Sequence, residues 1–144
     1  MRAAAAIPRK AVYRILDANL NRAREGLRVS EEIFRFVKKD AGLTRKFKAL
    51  RHGITAAMAG SALDNGLLEQ SRDSAQDPGR VIHGAGEFRR GSVGDILGAN
   101  LHRVGEALRV LEEFSKLFDS KISLDFKALR FRFYDVEKAA RRKV

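Results

Sequence analysis

The stretch Ile15–Glu32, ILDANLNRAREGLRVSEE, recurs as Ile96–Glu113, ILGANLHRVGEALRVLEE. Twelve of its 18 positions are identical, without a gap, at a spacing of 81 residues. Farther along, FKALR at Phe47–Arg51 returns as FKALR at Phe126–Arg130, at a spacing of 79. Two blocks in the same order, with a two-residue length difference between them, mark a tandem duplication. The repeat units cover about 12–66 and 92–142, and the connecting loop covers 67–91. Internal repeats of this size make each copy one supersecondary unit that needs its neighbour to bury an apolar face.

Within the first unit, Val12, Leu16, Leu20, Ala23, Leu27 and Phe34 recur at three- and four-residue steps. That spacing predicts one amphipathic helix from Val12 to Lys39. A second helix is expected from Leu43, with Phe47, Leu50, Ile54, Met58 and Ala62 on one side, ending near Asn65-Gly66 because glycine follows helix ends readily. In the second unit, Ser92 with Asp95 three positions on fits a helix cap. The helix it opens is expected to reach Phe118, and the last helix to run from Leu124 to Arg141. KKDAGLT and FDSKIS supply the break inside each unit. The fold class implied is all-α: two antiparallel hairpins docked about a pseudo-two-fold axis into a four-helix bundle, a single domain over 1–144 with a long central loop.

Composition narrows the function classes. A chain of 144 residues, 44% hydrophobic and 33% charged with two prolines, reads as globular. No apolar run reaches the roughly 18 residues of a membrane span. The start, MRAAAAIPRK, lacks the apolar core of a signal peptide, so a cytoplasmic location is the expectation. Having no cysteine excludes disulfides, thiol catalysis and thiolate metal sites. His52, His83 and His102 show no HxxxH or HExxH spacing, which argues against zinc. A formal net charge of +11 attracts anions, whether nucleic acid, acidic membrane or phosphorylated metabolites.

At about 100° per residue, the apolar arc of the first helix centres near Asn19, with Arg22 on its flank and Glu25 one turn on. Asn100, Arg103 and Glu106 take the matching places in the second unit. A buried amide or guanidinium without a partner costs about 1–3 kcal/mol. Two arrangements satisfy these groups. The asparagines pair across the pseudo-dyad and fix register, with Arg22–Glu25 and Arg103–Glu106 pairs beside them. Alternatively, a polar pocket inside the bundle lets Asn read a heterocycle while Arg grips a phosphate. Arg51 and Arg130 stand beside the same stripe and would complete a four-arginine anion site, unless they snorkel outward. Glu31, Glu32, Glu112 and Glu113 fall on the outer face and read as solvated.

The connecting loop has no counterpart in either repeat. Within it, SRDSAQDPGR places Arg72, Asp73, Asp77, Gly79 and Arg80 close together. Two aspartates four apart suit Mg²⁺ through oxygen ligands, and the arginines suit phosphoryl groups. Asp-Pro-Gly is equally an ordinary turn. The following GAGEFRRG lacks the lysine and hydroxyl residue of a Walker A loop.

YRILDANLNRAREGLRVSEEIFRFV, LRHGI, RDSAQDPG and ANLHRVGEALRVLEE, in that order, resemble the helical domain that precedes the barrel of some bacterial thiamine-phosphate synthases and also occurs alone. That family is the alternative hydroxymethylpyrimidine phosphate kinase of thiamine biosynthesis. The resemblance runs from Tyr13 onward. It implies ATP-dependent phosphorylation of hydroxymethylpyrimidine phosphate to the pyrophosphate, and together with the aspartate pair it sets the expectation of Mg²⁺ as cofactor with ATP as co-substrate. It also implies that Asn19, Arg22, Arg51, His52, Arg72, Asp73, Asp77, Gly79, Asn100, Arg103 and Glu106 carry the family pattern. The roles expected are catalysis for Arg72, Asp73 and Asp77, metal binding for the two aspartates, and substrate binding for the others.

Asp77-Pro78-Gly79 departs from the family's Asp-Val-Gly, with proline removing a backbone N–H, and His83-Gly84-Ala85-Gly86 replaces a hydroxyl-bearing segment. No synthase barrel of about 250 residues follows Val144, so this sequence is not expected to join pyrimidine to thiazole. The partners expected are the phosphorylated pyrimidine and ATP, not a membrane, and the oligomeric state is open. Two other readings are a basic helical nucleic-acid binder, suggested by RFRFYDVEKAARRKV, and an inactive interaction module of the same fold.

Overall fold

The computed structural model describes residues 5–61, 63, 65–85 and 87–144. Ala62 of the expected apolar stripe, the first four residues and Gly86 of the central loop lie outside them. The described residues form five α-helices and no strand: α1 (Arg9–Glu32), α2 (Ala41–Ala59), α3 (Asn65–Ser71), α4 (Val93–Ser115) and α5 (Ser120–Arg141). The four long helices make the expected bundle. Tyr13 near the start of α1 packs its ring, tilted, against Phe118 just past the end of α4, and Gly26 of α1 meets Asn100 and Val104. These two helices therefore run antiparallel. α2 lies against α5 in the same sense, with Gly53 beside Leu129 and Asp40 beside Lys143.

The core repeats as the sequence does. Leu16, Leu20 and Leu27 of α1 are buried, as are their mates Leu97, Leu101 and Leu108 of α4. Phe47 and Phe126 are both fully buried, and so are Ile54 and its mate Phe133. Phe131 and Tyr134, by contrast, are exposed, so the basic C-terminal stretch splits its aromatics between core and surface.

The two-residue difference between the repeats has a physical home. Past Glu32 the first helix widens into a π turn, Ile33–Val37, where Lys38 donates to the Ile33 carbonyl. Lys39 then adopts φ 54°, a left-handed conformation uncommon outside glycine. Asp40 caps α2 by accepting from the Leu43 N–H at 3.0 Å. The second unit turns more tightly, and Asp119 caps α5 by accepting from the Lys121 N–H. Ser92 caps α4 as expected, accepting from the Asp95 N–H at 3.1 Å.

Several boundaries differ from the sequence reading: α4 ends at Ser115, short of the expected Phe118, and α5 opens at Ser120, one turn before the expected Leu124, because Asp119 caps it. α2 stops at Ala59, before Gly60, and Asn65-Gly66 opens α3 instead of ending α2. The connecting segment is correspondingly less irregular than expected. Leu67–Ser71 lies in α3, which packs on α1 through buried Leu68, and two 3₁₀ turns follow at Ser74–Gln76 and Pro78–Val81. Among the described residues no helix is long and apolar enough to cross a membrane.

Candidate functional site

The 3₁₀ turns bring the connecting segment back against α1 and enclose a cleft of about 460 Å³. Arg14, Asn19 and Arg22 of α1 line one wall, and Arg72, Asp73 and Asp77 line the other. The fastening is Asp17, a buried residue whose side chain is 11% exposed. It accepts from Arg72 Nε and Nη2, both at 2.7 Å, a bidentate pair of the kind that fixes direction as well as distance. Bonding to Asp17 and its charge raise the Arg72 pKa, so Arg72 stays cationic. Arg14 Nη2 adds a longer bond to the Asp73 carbonyl at 3.4 Å.

The two aspartates are set by the turns they open. Asp73 Oδ1 accepts from the Gln76 N–H at 3.2 Å, and Asp77 Oδ1 accepts from the Gly79 N–H at 2.8 Å. Pro78 occupies the first position of the second turn, where a missing N–H costs least, so the proline departure fits the local structure. Each aspartate keeps Oδ2 outside these bonds. Among the described residues no three His, Cys, Asp or Glu side chains gather as a metal cage. Mg²⁺ needs no such cage, because one or two carboxylates together with substrate phosphates suffice. The donor set fits that arrangement.

Of the residues the sequence pointed to, Asn19, Arg22, Arg72, Asp73 and Asp77 share this cleft, and Gly79 lies just beyond it as the partner of Asp77. The others lie elsewhere. Arg51 and His52 border a different groove, between α1 and α2, and Glu106 borders a third, between α4 and α5. Arg103 is exposed and Asn100 half-buried on α4, outside the cleft. The asparagines do not pair across the pseudo-dyad. Asn19 Nδ2 donates to the Ile15 carbonyl and Asn100 Nδ2 to the Ile96 carbonyl, each at 2.8 Å within its own helix. Arg22 bonds weakly to Asn19 Oδ1 at 3.4 Å, and Glu106 pairs with His102 at 2.9 Å, which replaces the expected Arg22–Glu25 and Arg103–Glu106 pairs.

The four-arginine anion site is also overturned, along with the solvated reading of Glu31 and Glu112. Both glutamates are buried, at 2% and 4% exposure. Arg51 reaches Glu31 Oε2 at 2.7 Å and Arg130 reaches Glu112 Oε2 at 2.7 Å, so these two arginines are neutralised inside the bundle. Burial pushes the Glu112 carboxyl up, but the bonds and charges of Arg130 and Arg109 outweigh it and leave its pKa below the ordinary value. Arg130 is correspondingly raised, by Glu112 first and by Tyr134.

Asp17 and Arg14 were not singled out from the sequence, although a signal for Asp17 was there. It is one of the few mismatches in the duplicated block: ILDAN in α1 against ILGAN in α4. At Gly98, the mate of Asp17, the guanidinium of Arg141 stands 3.7 Å from where a Cβ would be. The carboxylate that anchors the connecting segment thus exists in one half only.

A model described as the ThiD2 family matches residues 14–139. Thiamine-phosphate synthase of Thermosynechococcus vestitus is 45% identical over 126 residues, which cover 88% of this chain and 34% of the relative. The enzyme of the same name from Synechocystis sp. is 46% identical over 127 residues, 88% of this chain and 35% of the relative. That from Rhodopirellula baltica is 38% identical over 125 residues, 87% and 33% respectively. The chain thus spans about a third of the length of the curated relatives it matches. No solved structure gives a significant match.

Proposed function

Because the chain belongs to the ThiD2 family, a family of thiamine biosynthesis, we propose that it phosphorylates hydroxymethylpyrimidine phosphate to the pyrophosphate with Mg-ATP as donor. The observation that carries this reading is the Asp17-anchored cleft, where Asp73 and Asp77 face Arg14 and Arg22 across a space of nucleotide-fragment size. Phosphoryl transfer asks mainly for positioning and charge neutralisation. Asp73 and Asp77 would hold Mg²⁺, and Arg14, Arg22 and Arg72 would neutralise the phosphates. An oxygen of the acceptor's phosphate bonds to the γ-phosphorus as the bond to the β-phosphate oxygen breaks, and ADP leaves. That acceptor oxygen is already ionised at neutral pH, since a phosphate monoester loses its second proton near pH 6. The site therefore needs no general base, in keeping with a cleft that no histidine lines.

The test is incubation of the protein with Mg-ATP and hydroxymethylpyrimidine phosphate, with the unphosphorylated pyrimidine in parallel, followed by mass spectrometry. Pyrophosphate product and ADP from the phosphate alone are expected. Replacing Asp73 and Asp77 together by Asn is expected to lower turnover by a hundredfold or more, and no ADP from the parent protein would sink the reading. The exposed pair Phe131 and Tyr134, with Arg130 over both rings at 5.0 and 5.6 Å, supports a second reading as a nucleic-acid binder. A gel shift with steep salt dependence would favour it.

A further inference from the structure

Beyond Arg22, α1 borders a second groove, of about 420 Å³, closed on its other side by α2. Arg24, Arg28 and Val29 contribute from α1, and Arg51, His52 and Thr55 from α2. The duplication supplies its own control, because α4 and α5 form the matching groove in the second half. Val29 and Val110, Arg28 and Arg109, and Arg51 and Arg130 are the same residue types at matching positions. Three positions differ: Arg24 against Gly105, His52 against Phe131, and Thr55 against Tyr134. In the second half, Arg130 donates to the Tyr134 hydroxyl at 3.2 Å beneath two aromatic rings. In the first half, a guanidinium, an imidazole and a small hydroxyl take the places of a glycine and those rings.

A further contrast concerns the arginine on the rim. Arg109 is held by Glu112 at 3.2 Å and Glu113 at 3.0 Å, whereas Arg28 stands 3.5 Å from Glu31 and 3.9 Å from Glu32. Arg28 is thus more loosely engaged than its mate and better able to take another anion. Among the described residues Glu25 is the one acidic side chain lining the groove, and Glu31 offsets Arg51. Arg24, Arg28 and His52 remain as anion-attracting groups above an apolar Val29. Guanidinium groups and an imidazole N–H around an apolar patch suit a flat ring that carries a phosphate.

We propose that the α1–α2 groove is a seat for a small aromatic phosphate monoester, separate from the cleft beside Asp73 and Asp77. The chemical identity of that monoester rests on the phosphotransfer reading, which has two phosphorylated reactants and so needs two seats. Asn21 in the cleft and Arg28 in the groove are seven residues apart, on one face of α1 and about 10 Å apart along its axis, so the phosphate end of the monoester would point along α1 toward the donor in the cleft.

The test exploits the repeat. In the full chain, Arg24→Gly, His52→Phe and Thr55→Tyr together give the first groove the residues its twin already carries. Binding of hydroxymethylpyrimidine phosphate alone, and of a Mg-bound non-hydrolysable ATP analogue alone, is measured by titration calorimetry. The triple variant is expected to bind the monoester at least tenfold more weakly while holding the ATP analogue within twofold. Asp73→Asn is expected to do the reverse. Arg28→Gln, an exposed single change, gives the same comparison if the triple variant does not fold. The proposal is overturned if the parent protein does not bind the monoester, if monoester binding survives the groove variants unchanged, or if both ligands weaken equally. If the expected pattern holds but the parent forms no ADP, the kinase reading fails and the groove stands.

Discussion

The two halves of the molecule agree in their buried chemistry and part at their surfaces. Glu31 with Arg51 and Glu112 with Arg130 are the same ion pair built twice, each with a second arginine, Arg28 or Arg109, at the rim. Asp17 and Gly98, also matched by the repeat, do opposite things. One anchors the connecting segment, and the other leaves room for Arg141. Duplicated interiors resist change because every buried charge must keep its partner. Asp17, buried as it is, depends on a half-exposed arginine of the connecting segment, so where no such segment folds back its mate is a glycine and the site is absent.

The likeness of the interiors is testable by removing the same group from each. Glu31→Ala and Glu112→Ala leave Arg51 and Arg130 without their main partner, and each is expected to destabilise the fold by roughly 3 kcal/mol in chemical denaturation. Costs that differ by more than half would break the equivalence. The sign with pH follows from the lowered pKa of Glu112. Its contribution is present above the unfolded carboxylate value of about 4.3 and is lost as pH falls through the lower folded value. The parent and Glu112→Ala should therefore converge in stability at strongly acid pH.

The contact between the halves is expected to be next in sensitivity. A Cβ on Gly26 would stand 2.6 Å from Val104 Cγ2 and 3.0 Å from the Asn100 carbonyl oxygen. Alanine improves helix propensity by about 1 kcal/mol, but overpacking costs about 1–3 kcal/mol. Gly26→Ala is expected to lose about 1 kcal/mol net, while Gly26→Ala with Val104→Ala, matching the Ala23 of the first half, should recover it. A midpoint for Gly26→Ala at or above the parent's would show that the helices part without cost.

The smallest effect on stability belongs to the feature that separates the halves. Arg72 is about half exposed, so Asp17→Asn is expected to change global stability by less than about 1 kcal/mol. It should nonetheless speed amide exchange at residues 72–79, which the pair tethers to α1. Unchanged exchange there would mean that the turns hold themselves.

Helix identity and the pairing of the halves were legible because periodicity and repetition are local signals. The end of α2 was not, since AAMAGSALDNG offers two stop signals, Gly60 and Asn65-Gly66, and nothing local ranks one above the other. Glu31 and Glu112 stand on the outer edge of a single-helix projection, and only the neighbouring helix, by offering Arg51 and Arg130, turns that edge inward. The anchoring of Arg72 by Asp17 spans 55 residues and no spacing rule reaches it. Comparison of the repeats for their differences, instead of their identities, would have pointed to Asp17.

The tandem arrangement has a mechanical consequence. Each hairpin completes its core against its twin, while residues 80–85 and 87–91 of the link between them are all exposed. The molecule is in this sense a dimer whose subunits share a peptide tether. Proteolytic nicking of that tether would leave two fragments that stay associated, and unfolding would then follow bimolecular mass action, with a midpoint that rises with concentration.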